Sequence, residues 1–352
     1  MPRCRSRLAA LVIALAVLTT GEPAKAQSAT PATPPPKFLR IGTGAANGTY
    51  FIIGGLIANA VSAPPGSRTC EAGGSCGVPN LIAAAQSTAG SATNLRALHS
   101  GNMESALAQG DLVYFAFNGI ENFRNTPPHR ELRVIADLYP ETVHIVVRQD
   151  SPIKTIRDLL RRTVALGESG SGSAATARMI LAAHGIGKGL FQSKLMRPSQ
   201  AADDLAAGRL DAFFLVGGYP MPIIDDLARR VPVRLLNLDV AAADQLAARY
   251  PFFTPTDIPA RTYKSQPATH TVQLPVQWVI SADANEAMVY GLTRALWHPT
   301  TRKLFLQGHP QGRRILLDQA MRSVTSPLHP GAERFYRENG LLPQGPLVYS
   351  GR

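Results

Sequence analysis

Residues 132–147 read Leu132-Arg133-Val134-Ile135-Ala136-Asp137-Leu138-Tyr139-Pro140-Glu141-Thr142-Val143-His144-Ile145-Val146-Val147. The run is far longer than the about 5–6 residues of an ordinary strand. Pro140 falls in its middle, and proline cannot donate to a sheet ladder. The run therefore reads as one strand leaving a sheet and another entering a second sheet. A second apolar run, Thr271-Val-Gln-Leu-Pro-Val-Gln-Trp-Val-Ile-Ser281, lies near the end of the chain. It reads as the return crossing. The expected fold is α/β, with two lobes of mixed, mostly parallel sheet joined by a two-strand hinge and a cleft between them.

The segments on either side support this plan. Phe38–Ile41 reads as a strand, Tyr50–Val61 as a helix, Leu81–Ala85 as a strand and Ser91–Leu98 as a helix. Ser105–Ala108 is a third strand, leading into a helix through Leu112–Phe117. Beyond the first crossing the order recurs: strand Thr163–Leu166, helix Ser173–Ala183, short strand Leu195-Met196, helix Gln200–Ala207, strand Asp211–Val216. Such alternation with short Gly/Ser turns belongs to α/β folds. Leu98-His-Ser-Gly101-Asn-Met-Glu104-Ser105 also matches Leu205-Ala-Ala-Gly208-Arg-Leu-Asp211-Ala212. Each reads as a helix end, a glycine cap and re-entry into the sheet. The expected divisions are 1–26, an export signal; 27–37, a tether; 38–139, the first lobe; 140–272, the second lobe; and 273–352, the return to the first.

The N-terminus carries Arg3, Arg5 and Arg7, then the apolar run Leu8–Leu18, then Ala24-Lys25-Ala26. A basic start, a short apolar centre and an A-x-A site form a cleavable secretory signal. The run is too short for a permanent span, which needs about 20 residues. The tether opens QSATPATPPP, which has no core-forming side chains. The chain has 352 residues and a net charge of +12, and cleavage after Ala26 would leave +9. Its basic residues are dispersed, without a basic run interleaved with aromatics, so nucleic acid is not an expected partner. Cleavage would also remove Cys4 and leave Cys70 and Cys76 in one loop. In an oxidising compartment that pair reads as a disulfide. A metal site is the alternative, but it lacks the second pair of ligands that zinc needs.

Three small-residue turns precede predicted helices: Gly42–Thr49, Gln86–Ser91 and Gly167–Ser173. A helix N-terminus offers unpaired N–H groups and partial positive charge, which suits a carboxylate or phosphate. Nucleotide motifs are absent: Asn47 stands where G-x-G-x-x-G requires glycine, and no G-K-[ST] follows any strand. Ser151-Pro-Ile-Lys154 fits S-x-x-K without its companion motifs, and no G-x-S-x-G or H-E-x-x-H occurs. No catalytic constellation, metal site or cofactor is expected.

Several segments, in order, resemble the TAXI-type solute-binding proteins, the extracytoplasmic receptors of tripartite (TRAP) transporters. They are Ile41-Gly-Thr-Gly44 with Gly48-Thr-Tyr50, Gln86-Ser-Thr-Ala-Gly-Ser91, Leu138-Tyr-Pro-Glu141 with Val143-His-Ile-Val-Val-Arg148, and Gly170-Ser-Gly172. Pro327-Leu-His-Pro-Gly331 and Arg334-Phe-Tyr-Arg-Glu-Asn-Gly340 complete the set. The resemblance covers about Phe38 to Gly340. It implies a type II periplasmic-binding fold, no enzyme activity and a periplasmic location. It also implies permease subunits as partners of a monomer that carries a small anionic or zwitterionic solute such as glutamate, glutamine or 2-oxoglutarate. Carried over by position, the pocket would comprise Gly44, Asn47, Thr49 and Tyr50 on the first turn and Gln86, Ser87 and Thr88 on the second. Tyr139 would lie at the hinge, with Ser169, Gly170, Ser171, Ser173, Gly217, Gly218 and Tyr219 facing from the second lobe. The chain departs from the family in three places. Gln109-Gly110-Asp111 stands for Gln-Ser-Asp, Ser173-Ala174 stands for Thr-Glu, and the Cys70–Cys76 loop is longer. The same fold also serves as a ligand sensor for two-component systems and, in some relatives, as an enzyme.

Overall fold

The computed structural model describes residues 35–324, 326–343 and 345. The expected export signal and the tether up to Pro34 lie outside the described residues. In chain order the elements are β1 (Lys37–Gly42), α1 (Thr49–Val61), β2 (Ser62–Ala63), β3 (Val78–Pro79), β4 (Leu81–Gln86), α2 (Ser91–His99), β5 (Ser105–Gln109) and α3 (Gly110–Asn118). The long strand β6 (Leu132–Arg148) follows, then β7 (Thr163–Ala165), α4 (Gly172–Ala183), β8 (Gln192–Lys194), α5 (Pro198–Ala206), β9 (Ala212–Gly217), α6 (Pro222–Arg230), β10 (Val233–Leu235), α7 (Val240–Arg249) and β11 (Thr254–Ile258). The return comprises β12 (Thr269–Ser281), α8 (Glu286–Leu296), α9 (Pro299–Gly308) and α10 (Pro330–Glu338).

The strands form one continuous sheet in the order β3-β2-β4-β1-β5-β12-β6-β9-β7-β8, with β10 on β6 and β11 on β12. The two halves share a plan. In the first, β4-β1-β5 are parallel and β5 pairs antiparallel with β12. In the second, β8-β7-β9 are parallel and β9 pairs antiparallel with β6. Each half is thus second strand, first strand, third strand, crossing strand. The sheet is mixed: parallel within β4-β1-β5 and β8-β7-β9, antiparallel between β2 and β4 and where the long strands cross.

The repeated glycine motif is realised almost atom for atom. Gly101 and Gly208 take φ of 71° and 70°, the left-handed region that glycine enters without strain. Their N–H groups donate to Leu98 O and Leu205 O, each at 3.1 Å. The following Asn102 and Arg209 N–H groups donate to Ala97 O and Asp204 O, each at 2.8 Å.

The reading of 132–147 as two strands needs correction, because β6 runs unbroken through Pro140. The reason is local. On the β12 side Pro140 stands opposite Pro275, another residue without an N–H. On the other side β9 joins only from Thr142. Pro140 therefore costs the sheet no ladder bond. The short strand expected at Leu195-Met196 also moves: β8 is Gln192–Lys194, paired in register with β7.

One apolar core extends over both halves, from Ile41, Ile53 and Leu107 through Ile145 and Val147 to Leu166 and Ile180. A second cluster fills the space between β9 and the α5–α6 pair, with Phe213, Leu205, Ile224 and Tyr263. Cys70 and Cys76 form the expected disulfide across the loop between β2 and β3. Among the described residues no helix is long and apolar enough to cross a membrane.

Candidate functional site

A cavity of about 110 Å³ opens where the β1–α1, β4–α2, β7–α4 and β9–α6 turns meet. These turns follow the carboxyl ends of parallel strands, the usual location of ligand sites in α/β sheets. The first half contributes Gly44, Ala45, Asn47, Gly48, Thr49 and Tyr50, together with Ala89, Gly90 and Ser91. The second half contributes Gly167, Glu168, Ser171, Gly172 and Ser173, then Leu215, Val216 and Gly217, with Met221, Pro222 and Ile223 as an apolar wall. Gln109 and Glu141, at the end of β5 and the middle of β6, and Pro198, at the start of α5, complete the lining.

Five helices have their first residue in the lining: α1 at Thr49, α2 at Ser91, α4 at Gly172, α5 at Pro198 and α6 at Pro222. At α4 the Ser171 hydroxyl accepts the Ala174 N–H at 3.1 Å, a serine N-cap. At α2 the Ser91 hydroxyl turns away from its own helix. It accepts the Gln109 N–H at 3.2 Å and lies 3.4 Å from the Tyr50 hydroxyl. The halves touch along one edge, where the Thr93 N–H donates to Gly170 O at 3.1 Å. Ser173 braces the second half internally, its hydroxyl accepting the Val216 N–H at 3.0 Å.

The electrostatics centre on Glu141. It is 3% exposed, and its Oε2 accepts from Gln109 Nε2 at 3.3 Å. Burial pushes its carboxyl up to about 8, while the hydrogen bonds from Gln109 and Tyr50 pull the other way and the charge of Asp111 adds to the rise. Gln109 Oε1 is buried without a hydrogen-bond partner. The lining contains no Lys, Arg or His. The nearest described ion pair is at the rim, Arg197 Nε to Glu168 Oε1 at 3.5 Å.

A neutral relay fixes the apolar wall. The Tyr263 hydroxyl accepts the Met221 N–H at 3.0 Å and sits 2.9 Å from His144 Nε2. His144 Nδ1 lies 2.9 Å from Thr142 O, so the ring donates there and accepts from Tyr263. Burial holds the imidazole down at about 4, in its neutral form at neutral pH.

Of the residues expected to bind ligand, Gly44, Asn47, Thr49, Tyr50, Ser171, Ser173 and Gly217 line the cavity. The others do not. Gln86 ends β4, with its carbonyl spent on Thr43. Ser87 and Thr88 turn back onto Gly44 O and Thr43 O and line a separate surface hollow. Tyr139 is buried, its hydroxyl without a partner, and it borders a different cavity. Ser169 is exposed, and Gly170 spends its carbonyl on the contact between the halves. Gly218 packs on Gln311, whose amide donates to Tyr219 O. Glu141 and Gln109 were missed as site residues. The signal for Glu141 was an acidic side chain, one of two with Asp137, inside the long strand-forming run 132–147.

The sequence profile of the NMT1-like family matches residues 41–340. Among solved structures, the chain is similar to the periplasmic aliphatic sulphonate binding protein SsuA of Escherichia coli. The identity is 15% and the TM-score 0.42, over 86% of this chain and 83% of that one. The alkanesulfonate-binding protein SsuA of Xanthomonas axonopodis pv. citri, bound to MOPS, matches at 16% identity and TM-score 0.45, over 89% and 96%. A putative L-cystine ABC transporter protein of Listeria monocytogenes matches at 13% and 0.45, over 81% and 98%.

Proposed function

Because this chain belongs to the NMT1-like family, we propose that it is an exported, periplasmic solute-binding protein that carries a small zwitterionic solute in the cavity between the two halves of its sheet. The observation that carries this reading is Glu141: a buried acid in a cavity without a basic side chain. A buried carboxyl is stable when protonated or when paired with a cation. A ligand ammonium group beside Glu141 and the unpartnered Gln109 Oε1 supplies that cation. The acid end of the same solute then meets the N-termini of α1, α2 and α4, which favour negative charge.

This narrows the expected ligands. Glutamine, glutamate and similar amino acids carry both groups. A dicarboxylate without an ammonium, such as 2-oxoglutarate, would set a negative charge against Glu141. In this reading the segments 38–139 with 273–352, and 140–272, act as two lobes that close on the solute by bending β6 and β12. Closure then presents the loaded form to the permease subunits of a TRAP-type transporter of the TAXI class.

A thermal-unfolding panel of amino acids, dicarboxylates, sulfonates and sugars on the untagged chain tests the reading. Ligand at about 100 times its Kd adds about 2.7 kcal/mol of stability. Stabilisation by amino acids and not by their amine-free analogues is expected. Stabilisation by dicarboxylates or sulfonates alone would overturn the zwitterion, and no stabilisation by any solute would overturn the receptor.

A further inference from the structure

Away from the cavity, two histidines meet face to face in the first half. His99 lies in the last turn of α2, and His129 sits in the loop that leads into β6. Their rings stack with centroids 3.9 Å apart and planes 2° from parallel. Glu131 joins them, with Oε1 2.8 Å from His99 Nδ1. His129 is 0% exposed, and neither of its ring nitrogens has a hydrogen-bond partner. The Phe123 ring meets it at a steep angle, with centroids 5.2 Å apart.

A simple stack does not account for this arrangement. A neutral imidazole carries one N–H and one lone pair, and burying either unpaired costs about 1–3 kcal/mol. The stack uses the ring faces and satisfies neither group. A ligand atom from each of His99, His129 and Glu131 lies within 4.8 Å of the others. We propose that His99, His129 and Glu131 form a site for a divalent transition-metal ion of the zinc type. Two imidazole nitrogens and one carboxylate are a zinc ligand set, with water in the fourth position.

The local environment fits that chemistry. Metal binding needs imidazole in its neutral form. At His129 both ring nitrogens are buried without a hydrogen-bond partner, which leaves a lone pair for an ion. Side-chain exposures of 36% for His99 and 26% for Glu131 give the ion an entry path. Parallel rings cannot both aim a lone pair at one point between them. The ion therefore replaces the stack: the His99 ring tilts toward the rim, and Glu131 exchanges its hydrogen bond for a metal bond. The bound ion would clamp the end of α2 to the start of β6.

Titration of the untagged, disulfide-intact chain with Zn2+ tests the site by calorimetry, with Ni2+ and Cu2+ as further probes. One ion per chain is expected. His99→Ala and Glu131→Gln, both at partly exposed positions, should each weaken binding by more than about tenfold. Histidine NMR should show the His129 resonances shifting on saturation in the parent and not in His99→Ala. Absence of binding by all three ions overturns the proposal. Parent-like binding by both variants also overturns it, because the ion would then sit elsewhere.

Discussion

Gln109 Nε2 donates to Glu141 Oε2 across 3.3 Å, joining two strands that both pair with β12. This contact puts an amide and a buried acid side by side on the floor of the cavity. It also leaves Gln109 Oε1 as a second, unpartnered acceptor beside the carboxylate. In the proposed reading both groups face the ammonium of the solute.

Replacing the acid tests that expectation. Glu141→Gln should weaken binding of an amino-acid ligand by about 2–5 kcal/mol, the usual loss when one partner of a buried charged contact is truncated. The same change should spare or improve binding of amine-free analogues. Calorimetric affinities for one ligand of each kind decide the matter. An equal loss for both would show that Glu141 does not meet the amine.

Buried acids also leave a signature on stability against pH. Burial pushes Glu141 up to about 8 and Asp137 up to about 7, although Asp137 accepts from Ser323 N and Gln277 Nε2. Both folded-state values exceed those of the unfolded chain, about 4. The folded protein therefore holds protons that the unfolded chain has released. This stability is complete below about pH 4, falls progressively above it, and is fully lost once pH passes 7 for Asp137 and 8 for Glu141. His144, held down at about 4, acts with the opposite sign and only below its unfolded value near 6.5. Urea melts of the ligand-free protein should therefore show stability falling from about pH 5 to 8, most steeply between about 6.5 and 7 where His144 no longer offsets the acids. Asp137→Asn should flatten the slope, and a slope unchanged by that substitution would remove Asp137 from the account.

Closeness of the two halves depends on Gly172. A Cβ at this first residue of α4 would overlap the Gln109 side-chain amide. Gly172→Ala should hold the halves apart and cost about tenfold in ligand affinity, or about 1.4 kcal/mol. X-ray scattering should report a larger radius for the ligand-saturated variant than for the saturated parent. Identical radii and affinities would mean that Gln109 simply swings aside.

The tyrosine relay bears on the apolar wall. Tyr263→Phe removes the acceptor of the Met221 N–H and the donor to His144 Nε2. Leaving buried polar groups unpaired should cost about 1–3 kcal/mol in denaturant unfolding. A phenylalanine variant as stable as the parent would mean that water takes over the bonds of the hydroxyl.

The Cys70–Cys76 bridge closes only a short loop. By loop-closure entropy its removal in the double serine variant should cost about 2 kcal/mol. Ligand affinity should stay unchanged, since neither cysteine lines the cavity. Loss of binding in that variant would tie the loop to the site.

Much of the architecture was legible because it rests on neighbours in the chain. Glycine caps at Gly101 and Gly208 form from bonds reaching three to five residues back, so one local pattern produced both. Helix starts at Thr49 and Gly172 follow small-residue turns for the same reason. The crossing strands were found from their apolar length. Continuity of β6 was not, because what excuses Pro140 is Pro275, brought opposite it only by strand pairing. Misplacement of Ser87 and Thr88 has a similar origin. Their hydroxyls were free to face a ligand in the sequence, but in the fold they return to the backbone of the first turn.

The sequence by itself determined the alternation of strands and helices, the duplicated plan, the two crossings and the cysteine pair. Each follows from hydrogen bonding, backbone freedom or apolar periodicity over a short span. Only the tertiary structure decided which turn residues reach the cavity and that Glu141 sits at its floor with no basic side chain among the lining residues. The burial of that carboxyl depends on Tyr50, Gln109 and Met221 converging from distant parts of the chain. Desolvation is a property of all the neighbours together, and no local pattern in the sequence encodes it.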